Sequence, residues 1–148
     1  MRRANLLLLG GVLAMAAAQA LAAPTMAPIR RVDVFVSDLT PIAAGVESVA
    51  LDDAGTLELW NLDDMERFNQ KMAVGLPRNI DAAARIVAQR ATSLSHEDAN
   101  LLSKAAQGQS RADALSIDRV PAVVINESRV YYGARSIEEA LNAYRSGR

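Results

Sequence analysis

Residues 117–125 of this chain read IDRVPAVVI, and this stretch decides the fold. A loop ends on Val120-Pro121 and passes directly into an apolar run, Ala122–Ile125, which predicts a buried strand. A short polar turn follows, and Arg129–Tyr132 predicts a second strand. The stretch therefore predicts a β-hairpin that the chain enters through a proline.

The 148-residue chain contains no cysteine. Its length suits one domain, and about half of its residues are apolar, so a packed core is feasible. Without a thiol the protein has no structural disulfide, no thiolate nucleophile and no thiol–disulfide exchange. It also lacks the cysteine through which bacterial lipoproteins receive their lipid. The composition therefore excludes cysteine-based redox chemistry.

The first 22 residues have the pattern of a secretory signal peptide. Two arginines precede an apolar run at 6–18, and Ala20-Leu21-Ala22 satisfies the small-x-small cleavage rule. The run is short for a membrane span, so we expect cleavage after about Ala22, export to the periplasm and no stable membrane insertion. A retained membrane anchor is the alternative.

The rest of the chain divides into a leader and a domain. Residues 23–30 contain two prolines and little periodicity, which predicts a flexible leader, and residues 31–148 form the predicted folded domain. After cleavage, 14 basic and 17 acidic residues remain, which gives a net charge of −3. This balance, without any clustered run of Lys and Arg, argues against direct binding to nucleic acid.

The order of predicted elements indicates the fold class. Hydrophobic patterns, caps and helix stops predict two strands, three helices, two further strands and a last helix. The first two strands are predicted at 31–36 and 46–51, and the three helices at about 61–74, from 81 onward, and from 95 to about 115. The two later strands are predicted at 122–125 and 129–132. Asp81 and Ser95 are the predicted caps of the second and third helices, and the last helix follows a capping box, Ser136 to Glu139. Helical spacing predicts core residues in the last two helices, namely Ala99, Leu102, Ala106 and Leu115, then Ile137, Ala140, Leu141 and Tyr144. This order predicts an α/β, thioredoxin-like fold that lacks the Cys-x-x-Cys pair. A helical insertion separates its second strand from the Val-Pro hairpin.

Several blocks spread over the mature chain carry a resemblance to a known family: 32–36, 51–52, 75–77, 84–90, 115–117, 120–124 and 130–133. In these blocks the chain resembles the integrating conjugative element protein family, small exported thioredoxin-like proteins of conjugative type IV secretion-like systems. The Gly-Leu-Pro helix stop at 75–77 combined with Val-Pro-Ala-Val-Val at 120–124 is the most specific part. The resemblance implies a component of the DNA-transfer apparatus, with no assigned catalytic activity and no residue-level site.

We therefore expect a non-enzymatic periplasmic protein that serves conjugation through contacts with protein components of the apparatus. The alternative is a periplasmic peptide-binding chaperone unrelated to conjugation. No cofactor is expected. One histidine and scattered carboxylates give no spacing typical of a zinc or calcium site, so no metal site is expected. The histidine, His96, is expected to be an exposed residue in the first turn of a helix. The pattern leaves the oligomeric state open.

A candidate partner-binding edge consists of Thr40, Val120, Pro121, Tyr131 and Tyr132. In exported thioredoxin-like oxidoreductases the reactive pair begins a few residues after the first strand, where this chain carries Thr-Pro-Ile-Ala at 40–43. One interpretation is a degenerate site that still binds extended peptide. The other is a turn in which Ser37, Asp38 or Thr40 caps backbone amides.

Pro121 also has two compatible interpretations. Through the resemblance its peptide bond is expected to be cis, which would leave backbone groups beside it free to pair with an extended segment of a partner. Alternatively, it rigidly directs Ala122 into the sheet. The period of two along a strand predicts that one of Tyr131 and Tyr132 faces the core and the other faces outward. Trp60 is a further candidate for a partner surface.

Overall fold

A computed structural model describes residues 27–42, 51 and 55–147 of the chain. The signal peptide predicted at 1–22 lies outside the described residues. The elements in chain order are β1 Arg31–Val36, β2 Thr56–Asn61, α1 Asp64–Ala73, α2 Ile80–Thr92, α3 His96–Ala114, β3 Ala122–Ile125, β4 Arg129–Tyr132 and α4 Ile137–Arg145. Among the described helices, none is both long and apolar enough to cross a membrane.

The four strands form one sheet in the order β2-β1-β3-β4. β1 and β2 run parallel, whereas β3 runs antiparallel to β1 and β4 antiparallel to β3. The predicted hairpin is thus present, and α1, α2 and α3 form the predicted helical insertion between β2 and β3. The chain has a mixed α/β, thioredoxin-like fold without cysteines, as the sequence predicts.

Alternation along β1 divides the core into two layers. Val32 and Val34 pack on the side of α4, whereas Phe35 packs with Trp60 on the side of α3. α4 buries the four apolar residues predicted from its helical spacing, namely Ile137, Ala140, Leu141 and Tyr144. Both faces of the sheet are therefore covered by helices.

The predicted capping box before α4 is confirmed in its first half. The Ser136 side chain accepts a hydrogen bond from the amide of Glu139 at 3.1 Å. The Glu139 carboxylate, however, accepts from the amide of Arg135 at 2.9 Å, one residue before the cap. Glu139 therefore holds Arg135, the residue that precedes the helix cap, in place. The hydrogen bonds from Arg135 hold the pKa of the Glu139 carboxyl below its ordinary value.

The buried face of α3 differs from the prediction. Of the predicted core positions Ala99, Leu102, Ala106 and Leu115, Leu115 packs partly buried against the α3-side core. The buried residues of the helix itself are Ala105, Gly108 and Ala112. The helix packs closely against β2 there: a Cβ atom built on Gly108 would lie 3.4 Å from Cε3 of Trp60. Small residues are buried at this contact because a large one has no room. Large apolar residues, which usually mark the buried face of a helix, therefore do not mark it here.

The second strand also differs from the prediction. Of the stretch predicted at 46–51, only Leu51 lies within the described residues, and it is outside any strand. The strand that pairs with β1 is Thr56–Asn61, and α1 consequently begins at Asp64 rather than near Asn61. β2 is an edge strand with partly exposed leucines, so its hydrophobic pattern is weak.

Of the leader predicted at 23–30, residues 23–26 lie outside the described residues, and residues 27–30 pack onto the folded domain. Ile29 is buried in the α4-side core. The side-chain amide of Asn126 accepts from the backbone amide of Arg30 at 2.9 Å and donates to the carbonyl of Pro28 at 2.9 Å. An asparagine in the hairpin turn therefore holds the start of the domain, a long-range contact that a scan of local composition does not detect.

Candidate functional site

The candidate site lies where the carboxyl end of β1 meets the amino end of β3. Phe35 pairs with Ala122, and continuing this register by two residues places Ser37 opposite Val120. The polar turn after β1 and the Val120-Pro121 segment thus meet at one end of the sheet. The Val120–Pro121 peptide bond is cis, as the resemblance implies.

The turn after β1 is held together by two hydroxyl groups. The Oγ of Ser37 and the Oγ1 of Thr40 are 2.6 Å apart, and the Thr40 amide donates to Ser37 Oγ at 3.2 Å. Ser37 therefore caps an amide in the turn, as the second interpretation of this segment requires. Leu39, at the tip, has 92% of its surface exposed.

Asp38 fixes this turn to the neighbouring elements. Its backbone amide donates to the Asp63 carboxylate at 2.8 Å, and its own carboxylate accepts from the side chain of Asn61 at 2.7 Å. The same carboxylate pairs with Arg67 of α1, which also pairs with Asp64. The hydrogen bonds from Arg67 and Asn61 lower the pKa of Asp38. The turn therefore presents Leu39 on a support anchored to β2 and α1.

Val120 and Pro121 form the opposite side of this end of the sheet. The carbonyl of Pro121 accepts from the amide of Gly133 at 3.0 Å, which extends the pairing of β3 and β4 beyond Ala122 and Tyr132. Val120 is half-buried against the α3-side core. In the part of the chain that the structure describes, the backbone N–H and C=O of Val120 make no hydrogen bond. These two groups have the capacity to pair with an extended segment.

The two tyrosines of β4 lie on opposite faces, but neither points freely outward. Tyr131 packs against the α4-side core, and burial raises the pKa of its hydroxyl. Tyr132 packs against the α3-side core, with Cζ of Arg119 4.5 Å from its ring centroid. The prediction that one tyrosine faces outward is wrong because helices cover both sheet faces. Trp60 is buried as well, at 7% exposure, so it does not belong to an exposed surface at this end of the sheet.

The structure thus brings Thr40, Val120 and Pro121 to one end of the sheet. Tyr132, paired with Ala122, lies next to this end, and Tyr131 lies one position further along the hairpin. Sequence reasoning missed Leu39. A single leucine within Ser-Asp-Leu-Thr has no periodic context, so the sequence does not distinguish an exposed tip from a core residue.

A second polar cluster, also missed, lies toward the other end of β1. Asp33 is fully buried, and its carboxylate accepts hydrogen bonds from Arg31, Trp60 and Arg111. Burial by itself raises the pKa of Asp33, but these hydrogen bonds outweigh it and bring the pKa to about 2. The available signal was an acid inside an apolar strand, since such acids are seldom buried without partners.

The fold and site define a class, a thioredoxin-like α/β protein without cysteines whose first strand is followed by a hydroxyl-bonded turn. Within that class, the chain belongs to the family described as Protein of unknown function (DUF1525), which matches residues 47–147. No protein with a curated description and no solved structure is significantly similar to the chain.

Proposed function

We propose that this protein is a non-enzymatic, exported component of the DNA-transfer apparatus of an integrative and conjugative element. It acts in the periplasm, through contacts with other proteins of this type IV secretion-like system. The observation that carries the contact role is Leu39, which is 92% exposed directly before residues 40–43, where exported thioredoxin-like oxidoreductases carry their reactive pair. The conjugative role is supported by the resemblance at 75–77 and 120–124.

The chemistry of this end of the sheet favours binding over reaction. A hydroxyl does not replace a low-pKa thiolate in disulfide exchange, and the hydroxyls of Ser37 and Thr40 already bond to each other. Leu39, by contrast, gains from being covered. Full burial of a leucine side chain contributes about 2 kcal/mol, or about 30-fold in affinity. A leucine on an anchored turn loses little freedom when it binds.

Site-specific photo-crosslinking tests this proposal in cells that carry the element. A photoreactive phenylalanine derivative replaces Leu39 in one strain and Ile80, which is 82% exposed at the start of α2, in the control strain. We expect adducts with defined proteins of the transfer apparatus from position 39 and not from position 80. A broad set of unfolded clients at position 39 would instead favour the chaperone alternative.

Transfer frequency gives an independent measurement. Leu39→Asp is expected to lower conjugative transfer about tenfold or more, because a charge at an interface centre removes a binding hot spot. Ile80→Asp makes the same chemical change at another exposed position and is expected to leave transfer unchanged. If deletion of the whole gene leaves both transfer and assembly of the apparatus intact, the proposal is wrong.

A further inference from the structure

An open groove of about 590 Å³ runs along α3, on the side that faces β2. Its lining includes two arginines, Arg31 and Arg111, and Trp60. Gln107 and Ser110 of α3 add polar side chains, and alanines supply apolar surface. The volume lies in the range of typical ligand sites, about 300–1,000 Å³. None of these residues belongs to the Leu39 turn.

The guanidinium groups of both arginines are held in place by the buried carboxylate of Asp33. Arg31 donates to Asp33 through Nε at 2.9 Å and Nη2 at 3.0 Å, and Arg111 donates through Nη2 at 2.8 Å and Nε at 3.3 Å. The Trp60 indole donates to the same carboxylate at 3.0 Å. One buried carboxylate therefore fixes both planar cations, which lowers the entropic cost of binding a further anion.

Both arginines keep binding capacity toward the solvent. Their side chains are 36% and 22% exposed, and neither Nη1 group makes a hydrogen bond to a described residue. A second carboxylate already occupies the pair: Glu127 Oε1 lies 2.5 Å from Arg111 Nη2 and 3.9 Å from Arg31 Nε. Glu127 is 54% exposed, so this carboxylate is accessible to exchange.

We propose that this groove binds an acidic peptide segment of a partner protein, whose carboxylate replaces Glu127 on Arg31 and Arg111. Charge favours a carboxylate over a phosphate, because two cations already face the two anions Asp33 and Glu127. Exchange of one monoanion for another preserves this balance, whereas a dianion exceeds it. The alanines and Trp60 offer apolar contact to the stem of a glutamate. The proposal goes beyond the conjugative role and does not depend on it.

Trp60 provides the reporter for the test, since it is the only tryptophan of the chain and donates to Asp33. A Gly-Ala-Glu-Gly peptide blocked at both ends, which carries a single carboxylate, is titrated at low salt into ¹⁵N-labelled protein, and the indole N–H resonance is followed. We expect a saturable shift with this peptide and none with Gly-Ala-Gln-Gly. Equal shifts with both peptides would overturn the proposal.

A variant separates the site from a purely structural charge cluster. Arg111→Gln removes an anchor of Asp33 and can unfold the protein, so Glu127→Gln is the decisive variant. It removes the competing charge from an exposed position and is expected to tighten binding about fivefold, since a charge-assisted hydrogen bond gives way to a weaker neutral one. Binding no tighter than that of the parent protein would contradict the proposal.

Titrations with two further ligands identify the class of molecule that the groove binds. Blocked single glutamate binding as tightly as the tetrapeptide would overturn the peptide assignment, and a phosphoserine peptide binding more tightly would overturn the carboxylate assignment. Leu39→Asp is expected to leave binding unchanged, because Leu39 lies outside the groove lining. A failure at this groove is therefore distinguishable from a failure of the Leu39 contact.

Discussion

Asp33→Asn is expected to lower the free energy of unfolding by about 3 kcal/mol at pH 7, the lower end of the range for breaking a buried ion pair. The carboxylate is fully buried and accepts five hydrogen bonds from three side chains. Asparagine keeps one acceptor oxygen and no charge, so Arg31 and Arg111 lose their common counter-ion. Both guanidiniums retain partial access to water, at 36% and 22% exposure, which limits the loss.

The free energy of unfolding lost in Asp33→Asn depends on pH in a defined way. Burial raises the pKa of Asp33, but the hydrogen bonds lower it from 3.8 to about 2. A carboxyl whose pKa is depressed in the folded state contributes its stability above pH 4, and that contribution disappears as the pH falls toward 2. This shift corresponds to about 2 kcal/mol at neutral pH. The stability gap between parent and variant should therefore shrink by about this amount between pH 5 and pH 2.

Urea unfolding followed by Trp60 fluorescence measures both quantities, because the indole is only 7% exposed in the folded state. The control is Asp118→Asn, whose carboxylate is 77% exposed and 3.9 Å from Arg119. It is expected to change stability by less than about 0.5 kcal/mol. A gap for Asp33→Asn below about 1 kcal/mol at pH 7, or one that stays constant on acidification, would refute the reasoning.

Two further predictions concern backbone conformation and packing. Glu127 has a φ of +57° in the hairpin turn, so Glu127→Gly should be about 1 kcal/mol more stable than Glu127→Ala in urea unfolding, and equal midpoints would contradict this. At Gly108, alanine should raise stability by about 0.5–1 kcal/mol through helix propensity. Leucine there should lower it by about 1–3 kcal/mol by colliding with Trp60, so thermal midpoints that place leucine above alanine would disprove the packing described here.

The sequence predicted the elements whose signals are local. α4 carries a hydroxyl cap and a full apolar stripe, and α3 begins directly after its predicted cap, Ser95, with His96 exposed as expected. The cap of α2 is Asn79 rather than the predicted Asp81, a shift of two residues between similar capping side chains. β2 and most of the buried face of α3 were predicted incorrectly. Their positions depend on contacts with β1 and Trp60 rather than on the spacing of hydrophobic residues along the sequence.

The candidate site was predictable only in part. Pro121 stands out because a proline directly before an apolar strand is a local signal, and Thr40 follows by counting from β1. The exposure of Leu39 depends on how Asp38 is anchored to Asn61 and Arg67, which are 23 and 29 residues away along the chain. The groove along α3 depends on Arg111, 78 residues after Asp33. Such long-range pairs leave no periodic pattern in a single sequence.

The buried carboxylate of Asp33 also fixes the register in which β1 pairs with its neighbouring strands. Slipping β1 by one residue would turn Asp33 to the α4 side, away from Trp60 and Arg111, and would leave it only Arg31, which turns with it on the same strand. The same slip would place a valine against Arg111, so Arg111 would lose its buried counter-ion. Two central strands, β1 and β3, that are rich in valine and isoleucine thus acquire a single alignment, defined by one charge.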